Sequence, residues 1–201
     1  MPSPASVAAI ERRPDPTSRP GALLSPQELK SLVRTVPDFP APGILFRDIT
    51  TLIAHGSGLS STIEHLAAMA EDARAEAVAG IEARGFMFGV ALAVRMGLGF
   101  VPLRKAGKLP VETIATQYEL EYGTASLEMD PSAVDPGERV ILVDDLIATG
   151  GTSLAGIRLL RRASAIVDHA LFVIDLPDLG GASALALEGV NSHFLIDFPG
   201  H

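Results

Sequence analysis

The chain has 201 residues, enough for one domain with a sizeable core, and 47% of them are hydrophobic, which excludes a disordered protein. Its net charge of −8 disfavours non-specific nucleic-acid binding. With no cysteine there is no disulfide, thiolate metal site or cysteine nucleophile, and no apolar run reaches the roughly 20 residues that span a membrane.

Residues 1–24, "MPSPASVAAIERRPDPTSRPGALL", have no apolar periodicity and are expected to form a disordered tail. "ERRPDP" does not suit a signal peptide, and Glu11 and Asp15 argue against a transit sequence. The folded domain is expected over 25–201. "SPQE" is a capping box, with Pro26 at the first helical position and Glu28 three residues after Ser25. The spacing predicts a helix from there to about Thr35, then an extended loop through the Pro-rich "VPDFPAPG". Leu59, Ile63, Leu66, Ala67 and Ala70 predict a helix over about 57–73.

Strands then alternate with helices. "AVAGI" (77–81) leads to a helix at about 86–96, and "FVPLR" (100–104) to a long polar segment. "RVILVD" (139–144) leads to a helix at about 152–163, and "AIVDHALFVID" (165–175) to one near 180–188, before "SHFLIDF" (192–198). That alternation predicts an α/β fold, a twisted parallel sheet flanked by helices. There is no internal repeat. The segment 105–130 is too polar for a buried parallel strand. Its "ETIATQYELEYG" alternates and reads as a hairpin arm that closes over a site.

The chemistry concentrates in "VILVDDLIATGGTS" (140–153). Asp144 and Asp145 stand at the end of an apolar strand, where open α/β sheets bind ligands. The following "LIATGGT" offers open amides at a helix start and the hydroxyls of Thr149 and Thr152, a phosphate cradle. Carboxylates accept hydrogen bonds from vicinal hydroxyls, so a phosphorylated sugar satisfies both halves. A nucleotide triphosphatase would need G-x-x-x-x-G-K-[ST], and a dinucleotide fold G-x-G-x-x-G; both are absent. A plain solvated turn would leave two carboxylates at a buried edge without partners. Other candidate charges are Arg84 in "EARGF", suited to an oxyanion or to pairing with Glu82, and Arg104, Lys105 and Lys108 in "RKAGKLP". His55, His65, His169 and His193 have no metal spacing and read as structural or surface residues.

"VILVDDLIATGGTS" resembles the 5-phosphoribosyl-1-pyrophosphate (PRPP) motif of the type I phosphoribosyltransferases. "PDFPAPGILFRDIT" (37–50), "IEARGFMFG" (81–89), "VPLRKAGKLP" (101–110) and "YELEYG" (118–123) resemble, in order, segments of the adenine phosphoribosyltransferases. The resemblance covers the chain from about residue 25 to the final "FPGH". It implies the type I phosphoribosyltransferase fold with a small N-terminal hood and a flexible arm. It further implies conversion of adenine and PRPP to AMP and pyrophosphate through an oxocarbenium-like transition state, in purine salvage. Mg²⁺ is the implied cofactor, held by substrate and water rather than by a protein ligand set, in a cytoplasmic homodimer with no nucleic-acid or membrane partner.

The resemblance also assigns roles. Asp144 and Asp145 hold the ribose hydroxyls, and Ala148, Thr149, Gly150, Gly151 and Thr152 the 5′-phosphate. Arg84 binds pyrophosphate, with Arg104, Lys105 and Lys108 stabilising it as it leaves. Phe46 stacks on the base, and backbone groups at Leu45 and Arg47 read its edge. Glu121 and Tyr122 lie on the arm. Glu121 assists proton transfer or stabilises the cationic sugar, two roles that stay open here. The 6-oxopurine enzymes carry an Asp where this chain has Ala148, which favours adenine. A non-catalytic sugar-phosphate sensor would need a DNA- or RNA-binding element, and the Pro-rich tail has neither a helix-turn-helix pattern nor a basic run.

Overall fold

The computed structural model describes residues 22–120 and 123–200. Helix α1 (Pro26–Leu32) starts in the expected capping box: the Glu28 amide donates to Ser25 Oγ, and the Ser25 amide donates to the Glu28 carboxylate at 2.8 Å. The helix stops at Leu32, short of Thr35, because the chain turns extended. Strand β1 (Arg34–Pro37) pairs antiparallel with β2 (Leu45–Asp48), from Arg34 opposite Asp48 to Pro37 opposite Leu45. The Pro-rich stretch, expected as loop, thus contributes the last residues of β1. Its missing amide is tolerated at the end of an edge strand. An Arg34–Asp48 ion pair closes the far end of this ribbon.

The chain then forms α2 (Thr50–Ala54), a five-residue helix too short to show periodicity, and α3 (Gly56–Ala70). His55 caps α3, its Nδ1 accepting from the Gly58 amide at 3.0 Å. Leu24 is already tied to α3: its amide donates to Ser61 Oγ at 3.0 Å and its carbonyl lies 2.8 Å from His65 Nε2. Residues 1–21 of the expected tail lie outside the described range.

The main sheet has seven strands. They are β3 (Ala77–Ile81), β4 (Gly99–Lys105), β5 (Ile114–Leu120), β6 (Gly123–Met129), β7 (Val140–Ile147), β8 (His169–Asp175) and β9 (Asn191–Asp197). Their spatial order is β5-β6-β4-β3-β7-β8-β9. Five are parallel, as the strand–helix alternation requires, and the 114–129 hairpin adds two antiparallel strands beside β4. The helices are α4 (Arg84–Met96), α5 (Gly151–Arg162) and α6 (Gly181–Leu187).

Both faces of the sheet centre are covered, so β3, β8 and the first half of β7 are buried at successive positions rather than alternately. Along β7, Val140 and Leu142 join the cluster that holds Ile157, Leu159 and Leu160 of α5. Ile141 and Val143 join Phe88 and Leu92 of α4 and Leu66 of α3 on the opposite face. Each fully buried Leu, Ile or Phe contributes roughly 1.5–3 kcal/mol.

Candidate active site

Strand order reverses between β3 and β7: the chain goes from β3 to β4 on one side and from β7 to β8 on the other. α4 and α5 consequently leave on opposite faces and open a notch at the carboxyl ends. A cavity of about 270 Å³ fills it, lined by Glu82, Ala83 and Arg84 after β3, by Asp144 and Asp145 of β7, by the turn 148–153, and by Tyr118 of β5.

The two aspartates were expected at a strand end, yet β7 runs on to Ile147. Pairing with β3 stops at Val143, while pairing with β8 continues to Ile147 opposite Asp175. They therefore sit on a rigid strand bordered on one side by the notch. Asp145 is 2% exposed, and its Oδ2 makes no hydrogen bond among the described residues, although Arg84 Nη1 lies 3.1 Å away. Asp144 Oδ1 accepts the Asp145 amide at 2.9 Å. Burial pushes both carboxyls above their usual range; the Asp145 charge adds to this at Asp144, and Arg84 opposes it at Asp145. Such a pair gains from any ligand that brings hydroxyl donors or a cation. Arg84 is thus matched by Asp145 and not by Glu82.

The turn after β7 is built to expose amides. Gly150 has φ +84°, a left-handed conformation that suits glycine, and stands immediately before α5. The amides of Gly151, Thr152 and Ser153 in the first turn of α5 have no intrahelical acceptor, and the helix dipole adds positive potential there. The outer side of the turn is braced: the Gly181 amide donates to the Ala148 carbonyl at 3.0 Å, and the Leu176 amide to Ile147 at 3.0 Å. This arrangement can hold a phosphate, with Thr149 exposed and Thr152 partly so.

Of the hood residues, Phe46 meets the edge of Phe39 at 5.2 Å, and the Arg84 guanidinium stands 5.8 Å from the Phe46 ring. Hood and cleft therefore meet at Phe46 and Arg84. Leu45 is 37% exposed. The Arg47 guanidinium is committed elsewhere: it donates to Thr35 Oγ1 at 2.7 Å and to the Pro199 carbonyl at 3.3 Å, and lies 4.5 Å over the Phe198 ring. It fastens the hood to the chain after β9.

At the base of the arm, the Arg104 Nε and Nη2 reach Glu82 at 3.2 and 3.4 Å, and its Nη1 donates to the Lys108 carbonyl. The Lys105 amide also donates to Glu82, at 3.0 Å. The side chains of Lys105 and Lys108 are exposed. Glu128 organises this turn, accepting the Lys108 and Leu109 amides at 2.8 and 3.0 Å. Backbone amides, those of Gly107 and Lys108 foremost, hold its carboxyl below the usual range. Sequence reasoning missed Glu128, for which no local signal exists, and Tyr118, which the alternation Ile114, Thr116, Tyr118 could have placed on one face. Glu121 and Tyr122 lie outside the described residues. Among the described residues, no group of three or more His, Asp or Glu side chains gathers to hold a metal ion.

Three comparisons agree with this geometry. The phosphoribosyl transferase domain family matches residues 52–180. The adenine phosphoribosyltransferase of Novosphingobium aromaticivorans is 65% identical over 178 residues, covering 89% of this chain and all of that protein. Among solved structures, the adenine phosphoribosyltransferase of Thermoanaerobacter pseudethanolicus superposes with a TM-score of 0.82 at 46% identity, covering 87% of this chain and 100% of that one. The Saccharomyces cerevisiae enzyme, solved with an imino-altritol bisphosphate and adenine, gives 0.80 at 38% identity over 85% and 97% of the two chains. With sequence, fold and cleft in accord, the chain belongs to the adenine phosphoribosyltransferase family.

Proposed function

We propose that the protein converts adenine and PRPP to AMP and pyrophosphate in purine salvage. The observation that carries this reading is the juxtaposition in one cleft of adjacent carboxyls, one buried and one partly so, and an open helix N-terminus. The 5′-phosphate lies on the amides of Gly150, Gly151 and Thr152, and the ribose hydroxyls donate to Asp144 and Asp145. That places negative charge beside the anomeric carbon as it becomes cationic. The base nitrogen captures that carbon from the Phe46 side, with the base edge on backbone groups at Leu45 and Arg47. Arg84, Arg104, Lys105 and Lys108 receive the departing diphosphate, and the arm carrying Glu121 and Tyr122 covers the site against water.

The donor set fits Mg²⁺. Asp145 Oδ2, which faces Arg84 at 3.1 Å without a hydrogen bond among the described residues, and the partly exposed Asp144 are hard oxygen donors, suited to hold the ion through ribose hydroxyls and water. When bound, the ion neutralises diphosphate charge. The active unit is a homodimer. Met87, Val90 and Val94 form an exposed apolar stripe along α4, from 41% to 76% exposed, which a second copy of the chain would cover. PRPP and AMP are too charged to cross a bilayer unaided, which supports a cytoplasmic site of action.

The test is incubation with Mg²⁺, PRPP and, separately, adenine, hypoxanthine, guanine or orotate. AMP from adenine alone is expected. A nucleotide from another base, or none from any, refutes the assignment.

A further inference from the structure

We infer that Glu82 is an internal counter-anion that occupies Arg104 until a diphosphate displaces it, and so sets how tightly the diphosphate is held. This rests on the assignment of the cleft to PRPP and pyrophosphate. Glu82 is the first residue after β3 and lines the cavity, so its charge stands beside the space an anionic ligand would enter. A carboxylate in such a place repels the ligand unless something nearby occupies it. Both of its oxygens are occupied. Oε2 lies 3.2 Å from Arg104 Nε and 3.0 Å from the Lys105 amide, and Oε1 lies 3.4 Å from Arg104 Nη2. This is the side-on fork that Arg presents to carboxylates and phosphates alike. Arg104 bonds first among the causes that hold the Glu82 carboxyl below its usual range, so it stays ionised at neutral pH.

The remaining charges of the cleft make the arrangement consequential. Arg84, the cation that lines it, is already matched by Asp145 at 3.1 Å. Arg104 is matched by Glu82. Both of these guanidinium groups are therefore paired with an acid before ligand arrives, and an incoming diphosphate competes for each. The Arg104–Glu82 distances, at 3.2 and 3.4 Å, leave the pair looser than the 2.7 Å and 2.8 Å contacts between Arg95 and Glu64 on the surface. A diphosphate carries more total charge than a carboxylate and offers the same fork several oxygens instead of two. Once Arg104 moves to the diphosphate, Glu82 keeps the Lys105 amide and holds the turn in place. It also stands ready to reclaim Arg104, which favours release of product pyrophosphate.

The test uses the full chain and Glu82→Gln, which keeps hydrogen-bonding atoms in place and removes the charge. With Mg²⁺ present, calorimetric titration with pyrophosphate is expected to give about tenfold tighter binding than the wild type, roughly 1.4 kcal/mol. The KM for PRPP falls and kcat falls with it, as release slows. Equal or weaker binding overturns the inference. Arg104→Met alone weakens pyrophosphate binding. Adding Glu82→Gln to Arg104→Met should recover little, because there is no guanidinium left to free. A full tenfold gain in that background means the carboxylate acts only through its field, and also overturns it. Should Glu82→Gln fail to fold, Glu82→Asp, shorter by one methylene and farther from Arg104, is expected to tighten binding in the same direction; unchanged or weaker binding overturns the inference there. Wild-type turnover of adenine is measured alongside. If AMP forms but these affinities do not shift, the role of Glu82 falls alone; if no AMP forms, the functional assignment falls.

Discussion

Gly181→Ala tests whether the phosphate turn depends on its brace. Gly181 opens α6 and its amide donates to the Ala148 carbonyl. A Cβ there would lie 2.4 Å from that same oxygen, 2.6 Å from Ile147 Cγ1 and 3.0 Å from the Gly150 nitrogen. Ordinary contact begins near 3.4 Å, so helix and turn must separate by about 1 Å. Two of the three obstacles are backbone atoms, which cannot rotate away. Overpacking of this kind costs about 1–3 kcal/mol. For a domain this size each kcal/mol lowers Tm by about 2–4 °C. If roughly 1.4 kcal/mol of the strain falls on the turn, phosphate affinity drops about tenfold. Thermal melting with and without AMP, and the KM for PRPP, measure both effects. Gly99→Ala is the control, since nothing lies within 4 Å of its added methyl. A Gly181→Ala protein with unchanged Tm and KM would refute the claim that close approach of α6 shapes the turn.

Three further outcomes follow from the same structure. Asp145→Asn should lower kcat by roughly 10²–10³-fold yet raise Tm at neutral pH. Its raised pKa means that folding binds protons, so the ionised carboxylate opposes stability above that pKa and an amide does not; a lower Tm contradicts this. His169 Nδ1 and His193 Nε2 stand 3.1 Å apart in stacked rings, and burial, then the His169 charge, lowers the His193 pKa against the pull of Asp72. The folded state therefore binds fewer protons than the unfolded one, and stability is lost as pH falls below the usual histidine range. Tm of His193→Gln should fall less than wild type between about pH 7 and pH 5.5, and parallel pH profiles would count against it. Val90→Lys should shift the protein toward monomer in light scattering, and an intact dimer would exclude the α4 stripe as its interface.

What could be read from the sequence was local. "AVAGI" gave a strand with the bounds observed for β3, because an uninterrupted apolar run between polar residues has one reading in a covered sheet. Ser25 and Glu28 announced α1 through contacts three residues apart. Helix α1 ends before its sequence signals suggest because β1 draws its stability from β2, eleven residues downstream, and β7 runs past "RVILVD" because β8 keeps pairing after β3 stops. The site divides the same way. The aspartates and the glycine turn are contiguous and legible as a pair of ligand contacts. Whether Arg84 would meet Glu82 or Asp145 depends on how β3 and β7 align, and Glu128 reaches its amide partners only across the arm. That the Arg47 side chain would turn to Thr35 and Pro199 was not legible, because those partners lie 12 and 152 residues away along the chain.

Among the described residues, the two-stranded hood shares no hydrogen-bonded edge with the seven-stranded sheet. Arg47 and Lys30 fasten this region to the chain terminus, through Phe198, Pro199 and Asp197. Under the proposed assignment, the part that discriminates the nucleobase is a detachable module, while the sugar-gripping part is welded into the scaffold. Exchanging residues 34–48 for those of a relative should retarget the base and leave the handling of ribose and phosphate as it is.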